Sequence, residues 1–277
     1  MKRRFFLIPL LIPVLVEVSE AQAVEYSVKR DVVFTKTETG ALRADMYLPR
    51  VEGPRPAVVV VHGGAWMGGN RRQLAWLARV LAEQGFVAMA INYRLAPAHP
   101  FPAQLEDCQA AVKWLKQNAE TYHVDEDRVA AWGYSAGGHL AALLAVASPG
   151  LKAVIAGGAP YDFRSITSDN RMLCFWLGAT RGENPQIYEA ASPACFVAKG
   201  VPAFFMYHGR YDRIVPPIQA IQMAQLLKSA GATAEIFWTE TGHVGTLFED
   251  APVEKAVEFL KEHLGEENEK TEQEDGQ

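Results

Sequence analysis

Three side chains in this sequence have the types and the order needed to relay a proton and form a covalent bond: Ser135, Asp212 and His243. Ser135 lies in Gly133-Tyr-Ser-Ala-Gly137, where an apolar strand-like run, Arg128 to Trp132, gives way to Leu140, Leu143 and Leu144 at helical spacing. So tight a strand-to-helix reversal needs nearly side-chain-free flanks, and it leaves the serine hydroxyl exposed at the head of the helix. The pentapeptide can arise by chance; its place between strand and helix makes Ser135 a candidate nucleophile rather than a turn residue. Asp212 stands in His208-Gly-Arg-Tyr-Asp-Arg-Ile-Val-Pro216 and His243 in Glu240-Thr-Gly-His-Val-Gly245, each directly after an apolar run. Asp162 and Asp250 are rival acids, but Asp250 follows the histidine and Asp162 precedes a long crossover. Asp212 keeps the order serine, acid, histidine. In such a set the histidine takes the serine proton, the acid fixes the imidazole tautomer, and the alkoxide attacks a carbonyl.

Attack on a carbonyl builds negative charge on its oxygen, and backbone N–H groups can meet that oxygen closely only where side chains do not intrude. Gly63 and Gly64, after the apolar run Ala57 to Val61 and His62, are the expected donors, joined by the N–H of Ala136. His62 is expected to orient this loop rather than transfer protons. Trp66, just beyond it, and Tyr134, beside the serine, are candidate substrate contacts.

These residues need strands that deliver them to one edge. Apolar runs at 57–61, 86–92, 128–132, 152–156, 203–208 and 234–239 alternate with helical patterns at 74–84, 103–119, 136–147, 217–230 and 252–264. That alternation predicts an α/β fold: a mostly parallel, doubly wound sheet with helices on both faces. Tyr26 to Phe34 and Ala41 to Leu48 read as an antiparallel edge hairpin. One catalytic domain over 24–264 is expected, with a small cap inserted at about 158–200, where Tyr161, Phe163, Phe175, Trp176 and Tyr188 cluster. Residues 265–277 carry six acids and one lysine and read as a solvated tail.

At the start, Met1-Lys-Arg-Arg, the apolar stretch Phe5 to Val16 and Ala21-Gln-Ala23 read as a cleavable signal peptide, residues 1–23, for a periplasmic or secreted protein without stable membrane insertion. The formal charge of −5 becomes −6 on removing that segment's three basic and two acidic residues. An acidic chain without a basic stripe is a poor nucleic-acid binder. Seven histidines include no pair at metal-ligand spacing, and no cofactor is implied. Of three cysteines, Cys108 falls on an amphipathic helix as a small hydrophobe, while Cys174 and Cys195 share an irregular region and could pair.

Over residues 40–264 the sequence resembles the esterase branch of the α/β-hydrolase superfamily. Ile91-Asn-Tyr-Arg-Leu-Ala-Pro-Ala-His-Pro-Phe-Pro102 with Leu105-Glu-Asp107 is similar to the segment after the second core strand of hormone-sensitive-lipase-like esterases. That group usually has glycine where Ala65 stands, an acid at Tyr134 and asparagine at His139. Gly-Tyr-Ser-Ala-Gly-Gly-His and His-Gly-x-x-Asp-x-x-Val-Pro are more similar to bacterial feruloyl and acetylxylan esterase-like hydrolases. The resemblance implies a serine carboxylesterase acting on small-molecule or carbohydrate-linked esters, short-chain or sugar-linked, without a cofactor. A serine peptidase or amide hydrolase on the same fold, and a non-catalytic binding protein on this scaffold, are the alternatives.

Overall fold

A computed structural model describes residues 23–166 and 170–265. The expected signal peptide, Ala23 apart, and nearly all of the expected tail lie outside the described residues. Eight strands form one sheet: β1 Tyr26–Thr37, β2 Gly40–Pro49, β3 Arg55–Val61, β4 Val87–Ile91, β5 Val124–Tyr134, β6 Ala153–Gly157, β7 Ala203–Gly209 and β8 Ala234–Thr239. Their order is β1-β2-β4-β3-β5-β6-β7-β8. β1 pairs antiparallel with β2, and β2 with β4; every other pairing is parallel. The edge hairpin and the parallel core thus form as the hydrophobic pattern predicts.

Side-chain alternation along β3 shows how the layers are built. Val59 and Val61 face a core shared with α2 (Ala103–Gln117), α4 (Ala136–Ala147) and α7 (Ile218–Ser229). Val58 and Val60 face the opposite core, filled from α1 (Ala75–Glu83) and, beyond the short α8 (His243–Thr246), from α9 (Asp250–Leu264). A strand covered on both faces must be apolar at every position, which is why β3 reads as an unbroken valine run. α4 is buried at every residue from Ala136 to Ala145, as a helix apolar all round must be.

Several boundaries differ from the pattern, two of them between α2 and β5. The helix expected over 103–119 stops at Gln117 and is followed by the short α3, Ala119–Tyr122, which ends at His123 with φ 51°. β5 begins four residues early at Val124 despite its charged start, because Arg55 of β3 pairs with Val124 there. Between β6 and β7 the chain forms α5 (Arg171–Leu177), α6 (Pro185–Ala190) and a single 3-10 turn at Pro193–Cys195. Asn170 and Asn184 cap the two helices through their side chains, each accepting from the backbone N–H three residues on. No disulfide joins Cys174 and Cys195: the Cys174 sulfur lies 3.7 Å from the Tyr188 hydroxyl, and Cys195 is exposed. Cys108 is fully buried in α2, where desolvation pushes its thiol pKa up. No described helix is long and apolar enough to cross a membrane.

Candidate active site

Because β3, β5, β7 and β8 run parallel, their C-terminal ends open on one edge of the sheet, where ligands bind in open α/β folds. The register Val61↔Gly133 sets His62 and Gly63 beside the end of β5, and Gly209↔Thr239 sets the loops after β7 and β8 side by side.

Ser135 stands alone between β5 and α4, with φ 57° and ψ −122°. A Cβ on Gly133 would strike the Gly137 carbonyl, and one on Gly137 would strike the carbonyls of Val61 and His62. The small residues are therefore a packing requirement as well as a conformational one. The Ser135 N–H donates to the Gly157 carbonyl at 2.7 Å, which fixes the turn. Ala136 opens α4, so its N–H has no carbonyl an earlier turn could offer.

The hydroxyl of Ser135 lies 2.9 Å from His243 Nε2, and His243 Nδ1 lies 2.6 Å from Asp212 Oδ2. With Nδ1–H donating to the carboxylate, Nε2 is left to accept from the serine. The other carboxylate oxygen of Asp212 accepts from the N–H groups of Ile214 (2.9 Å) and Val215 (2.8 Å). Burial pushes the Asp212 pKa up, but the bonds from His243 and the two amides outweigh it and hold the carboxyl below its ordinary value. Neither rival acid takes this place: Asp162 is bound by the Arg164 guanidinium, and Asp250 begins α9.

Gly63 packs against the nucleophile, since a Cβ there would meet the Tyr134 carbonyl at 2.9 Å and Ser135 Cβ at 3.5 Å. Gly64, with φ 114°, turns the chain so that its carbonyl accepts from Met67 and Gly68; a side chain there would collide with the Gly68 carbonyl. His62 does what its position predicts. Its Nδ1–H donates to the Gly63 carbonyl at 2.7 Å, its ring stacks on Tyr93, and burial lowers its pKa to about 4. Beyond the glycines, Arg71 pairs with buried Asp45 at 2.8 Å and with Asp31, tying the loop to the edge hairpin.

Two expected substrate contacts are placed otherwise. Tyr134 is buried, with its hydroxyl donating to the His243 carbonyl and its ring beside the imidazole, so it supports the histidine. Side chains alternate along β5, and Tyr134 therefore points into the α1/α9 core instead of toward the edge. Trp66 is buried too, stacked on Trp176. Of the crossover aromatics, Tyr161, Phe163, Trp176 and Tyr188 are core residues, while Phe175 and Phe196 are exposed.

Other supports escape sequence reasoning. The hydroxyls of Thr239, Thr241 and Thr246 bond to one another under the His243 turn, and Thr241 also donates to Glu249. His208 donates from Nε2 to the Val215 carbonyl at 2.9 Å and lies 3.4 Å from Asp212; burial lowers its pKa. Its signal was a histidine ending a buried strand four residues before the acid. The threonines carry none, being ordinary loop residues until the turn folds.

The BD-FAE family profile matches residues 44–227. Esterase LipQ of Mycobacterium tuberculosis is 30% identical over 232 residues, covering 76% of this chain and 55% of its own. The chain spans about half the length of the curated relatives it matches. Among solved structures, the thermophilic esterase Est2 of Thermogutta terrifontis superposes with a TM-score of 0.74 at 26% identity, covering 90% of this chain and 96% of that one. A truncated carbohydrate esterase from gut microbiota, at 23% identity, shares the fold, with a TM-score of 0.80 over 89% of this chain and 99% of that one.

Proposed function

Since the chain belongs to the BD-FAE family and has the α/β-hydrolase fold, we propose that it is a serine carboxylesterase acting on short-chain or sugar-linked esters. The observation that carries this reading is the unbroken line from the Ser135 hydroxyl through both nitrogens of His243 to Asp212.

In this mechanism His243 takes the Ser135 proton as the oxygen attacks the ester carbonyl, and Asp212 stabilises the imidazolium. The N–H groups of Gly63, Gly64 and Ala136 hold the oxyanion. His243 then hands its proton to the departing alcohol. A water deprotonated by the same imidazole attacks the acyl-enzyme, releases the acid and restores Ser135. Residues 158–200 act as a small cap over this edge. Exposed Tyr211, Ile214, Val244 and Phe248, all within five residues of the acid or the base, support a substrate with an apolar portion at the mouth. Export by cleavage after Ala23 completes the proposal.

The test is a fluorophosphonate probe combined with p-nitrophenyl acyl esters, acetylated xylan and methyl ferulate. Labelling and hydrolysis should occur in the parent and vanish in Ser135→Ala, where losing a triad nucleophile costs about 10⁶-fold in kcat. A folded Ser135→Ala protein retaining more than about a thousandth of parental kcat would remove Ser135 from the mechanism.

A further inference from the structure

The loop carrying Gly63 and Gly64 continues through two residues that strongly disfavour their own backbone conformation. Ala65 has φ 53° and Trp66 φ 61°. Such left-handed conformations cost non-glycine residues about 1–3 kcal/mol each and persist only where the surroundings over-determine them. The surroundings here are specific. The Trp66 ring stacks on Trp176 of α5 with centroids 3.8 Å apart and planes 7° from parallel. Its indole N–H donates to Nδ1 of His139 at 3.2 Å. His139 is four residues beyond the nucleophile in α4, fully buried, and its Nε2–H donates to the Ala191 carbonyl at 2.7 Å.

Those two bonds allow one state of the imidazole. An indole nitrogen only donates and a carbonyl only accepts, so His139 must carry its proton on Nε2 and present a bare Nδ1. The other tautomer would set two N–H groups against each other at Trp66 and leave the Ala191 carbonyl without its donor. Burial lowers the His139 pKa to about 4 and so keeps the ring neutral. The ring thereby joins three elements: the glycine loop, the helix behind the nucleophile and the 158–200 crossover.

We infer that His139 is a positioning residue which, through the Trp66 indole N–H and in register with Trp176 and Ala191, holds the Gly63–Gly64 loop in its oxyanion-binding conformation. This rests on the esterase reading above and adds a task for the crossover: besides covering the edge, it sets how well the loop stabilises the transition state.

The experiment uses four variants of the full chain: Trp66→Phe, His139→Leu, the double change, and His139→Asn. Trp66→Phe keeps a ring for the stack and deletes the donor. His139→Leu fills the space without an acceptor. The double change removes both polar partners of that bond and guards against misfolding caused by one buried group left unpaired. In His139→Asn, the amide oxygen stands near the place of Nδ1 and can accept from Trp66. Each is measured for melting, for kcat and KM on p-nitrophenyl acetate, and for inhibition by phenylboronic acid, whose tetrahedral boron adduct with serine places an oxygen in the oxyanion position.

Trp66→Phe and His139→Leu should lower kcat about tenfold, with KM within about twofold, and weaken phenylboronic acid by a matching factor. The double variant should lose no more than either single one, as expected of a pair acting as a unit, and His139→Asn should recover most of kcat. A purely structural pair would lower melting temperature while leaving kcat and boronate affinity of the folded fraction unchanged, and that outcome overturns the inference. So does a rise in KM in place of the fall in kcat, or an asparagine variant as impaired as the leucine one. If the parent neither hydrolyses the ester nor labels at Ser135, the esterase reading itself falls and this inference with it.

Discussion

The two sides of the candidate site are braced by different physics. On the glycine-loop side the braces are buried and mostly aromatic: Tyr93 under His62, Trp176 under Trp66, and the Arg71–Asp45 ion pair closing the far end. On the acid–histidine side they are short polar bonds in two exposed loops: backbone amides on Asp212, a threonine cluster under His243 and the Tyr134 hydroxyl on its carbonyl. Apolar side chains within five residues of the acid or the base, Tyr211, Ile214, Val244 and Phe248, remain open to solvent. The difference follows from what each side does. Donors that stabilise a charge not yet formed must be held before it appears, since any rearrangement at that moment subtracts from the gain. A proton relay needs instead a defined tautomer and hydrogen bonds that strengthen as charge moves.

The largest break in that comparison comes from Asp212→Asn. An amide can favour the wrong imidazole tautomer and cannot balance the imidazolium, so kcat should fall about 10⁴-fold while boronate binding by the glycine loop suffers much less. The same change at Asp162, already neutralised by Arg164, should leave kcat within a few-fold. Steady-state kinetics on p-nitrophenyl acetate decide it; an active Asp212→Asn enzyme beside a dead Asp162→Asn one would mean the acid is misassigned.

A smaller loss should come from the other side. Gly64→Ala forces a side chain onto a φ of 114° and against the Gly68 carbonyl, so the loop must move. Losing one oxyanion donor costs about 10²–10³ in kcat. Fluorophosphonate labelling should slow along with it. A kcat within threefold of the parent would show that the loop's conformation is not what the glycine provides.

Much of this was legible in the sequence because the signals were local. The valine run of β3, the glycines around Ser135 and the placing of Asp212 and His243 directly after strands all follow from chain-neighbour patterns, and the fold then converts order along the chain into one edge of a sheet. What could not be read were contacts made across the fold. Nothing near Trp66 in sequence announces His139, 73 residues away, or the Trp176 ring that makes it a core residue instead of a pocket wall. Tyr134 misled for a related reason: adjacency to the nucleophile suggests the edge, but strand alternation turns its side chain to the opposite face. In the crossover, most aromatics serve packing, and composition alone cannot separate a lid from a piece of core.

The smallest effect at working pH, and the last to distinguish the two sides, lies in acid stability. His62 and His139 are buried as neutral rings with pKa values lowered to about 4. An unfolded histidine binds its proton near about 6.5. Between those values the unfolded chain holds protons the folded one refuses, so the stability these two provide is full above about 6.5 and is lost progressively down to about 4. His208, also lowered by burial, adds to the same loss from the acid side. Asp212 behaves differently in range though not in sign. Its folded carboxyl lies below its ordinary value, so its contribution is present above the unfolded value of about 3.9 and lost only as pH falls further. Urea midpoints measured from pH 7.5 to 3 should therefore decline in two stages. His139→Asn should flatten part of the first stage and leave the second, whereas Asp212→Asn should alter only the second. If Asp212→Asn removed the decline above pH 5, or His139→Asn left it untouched, the buried neutral rings would not be the groups that lose stability first.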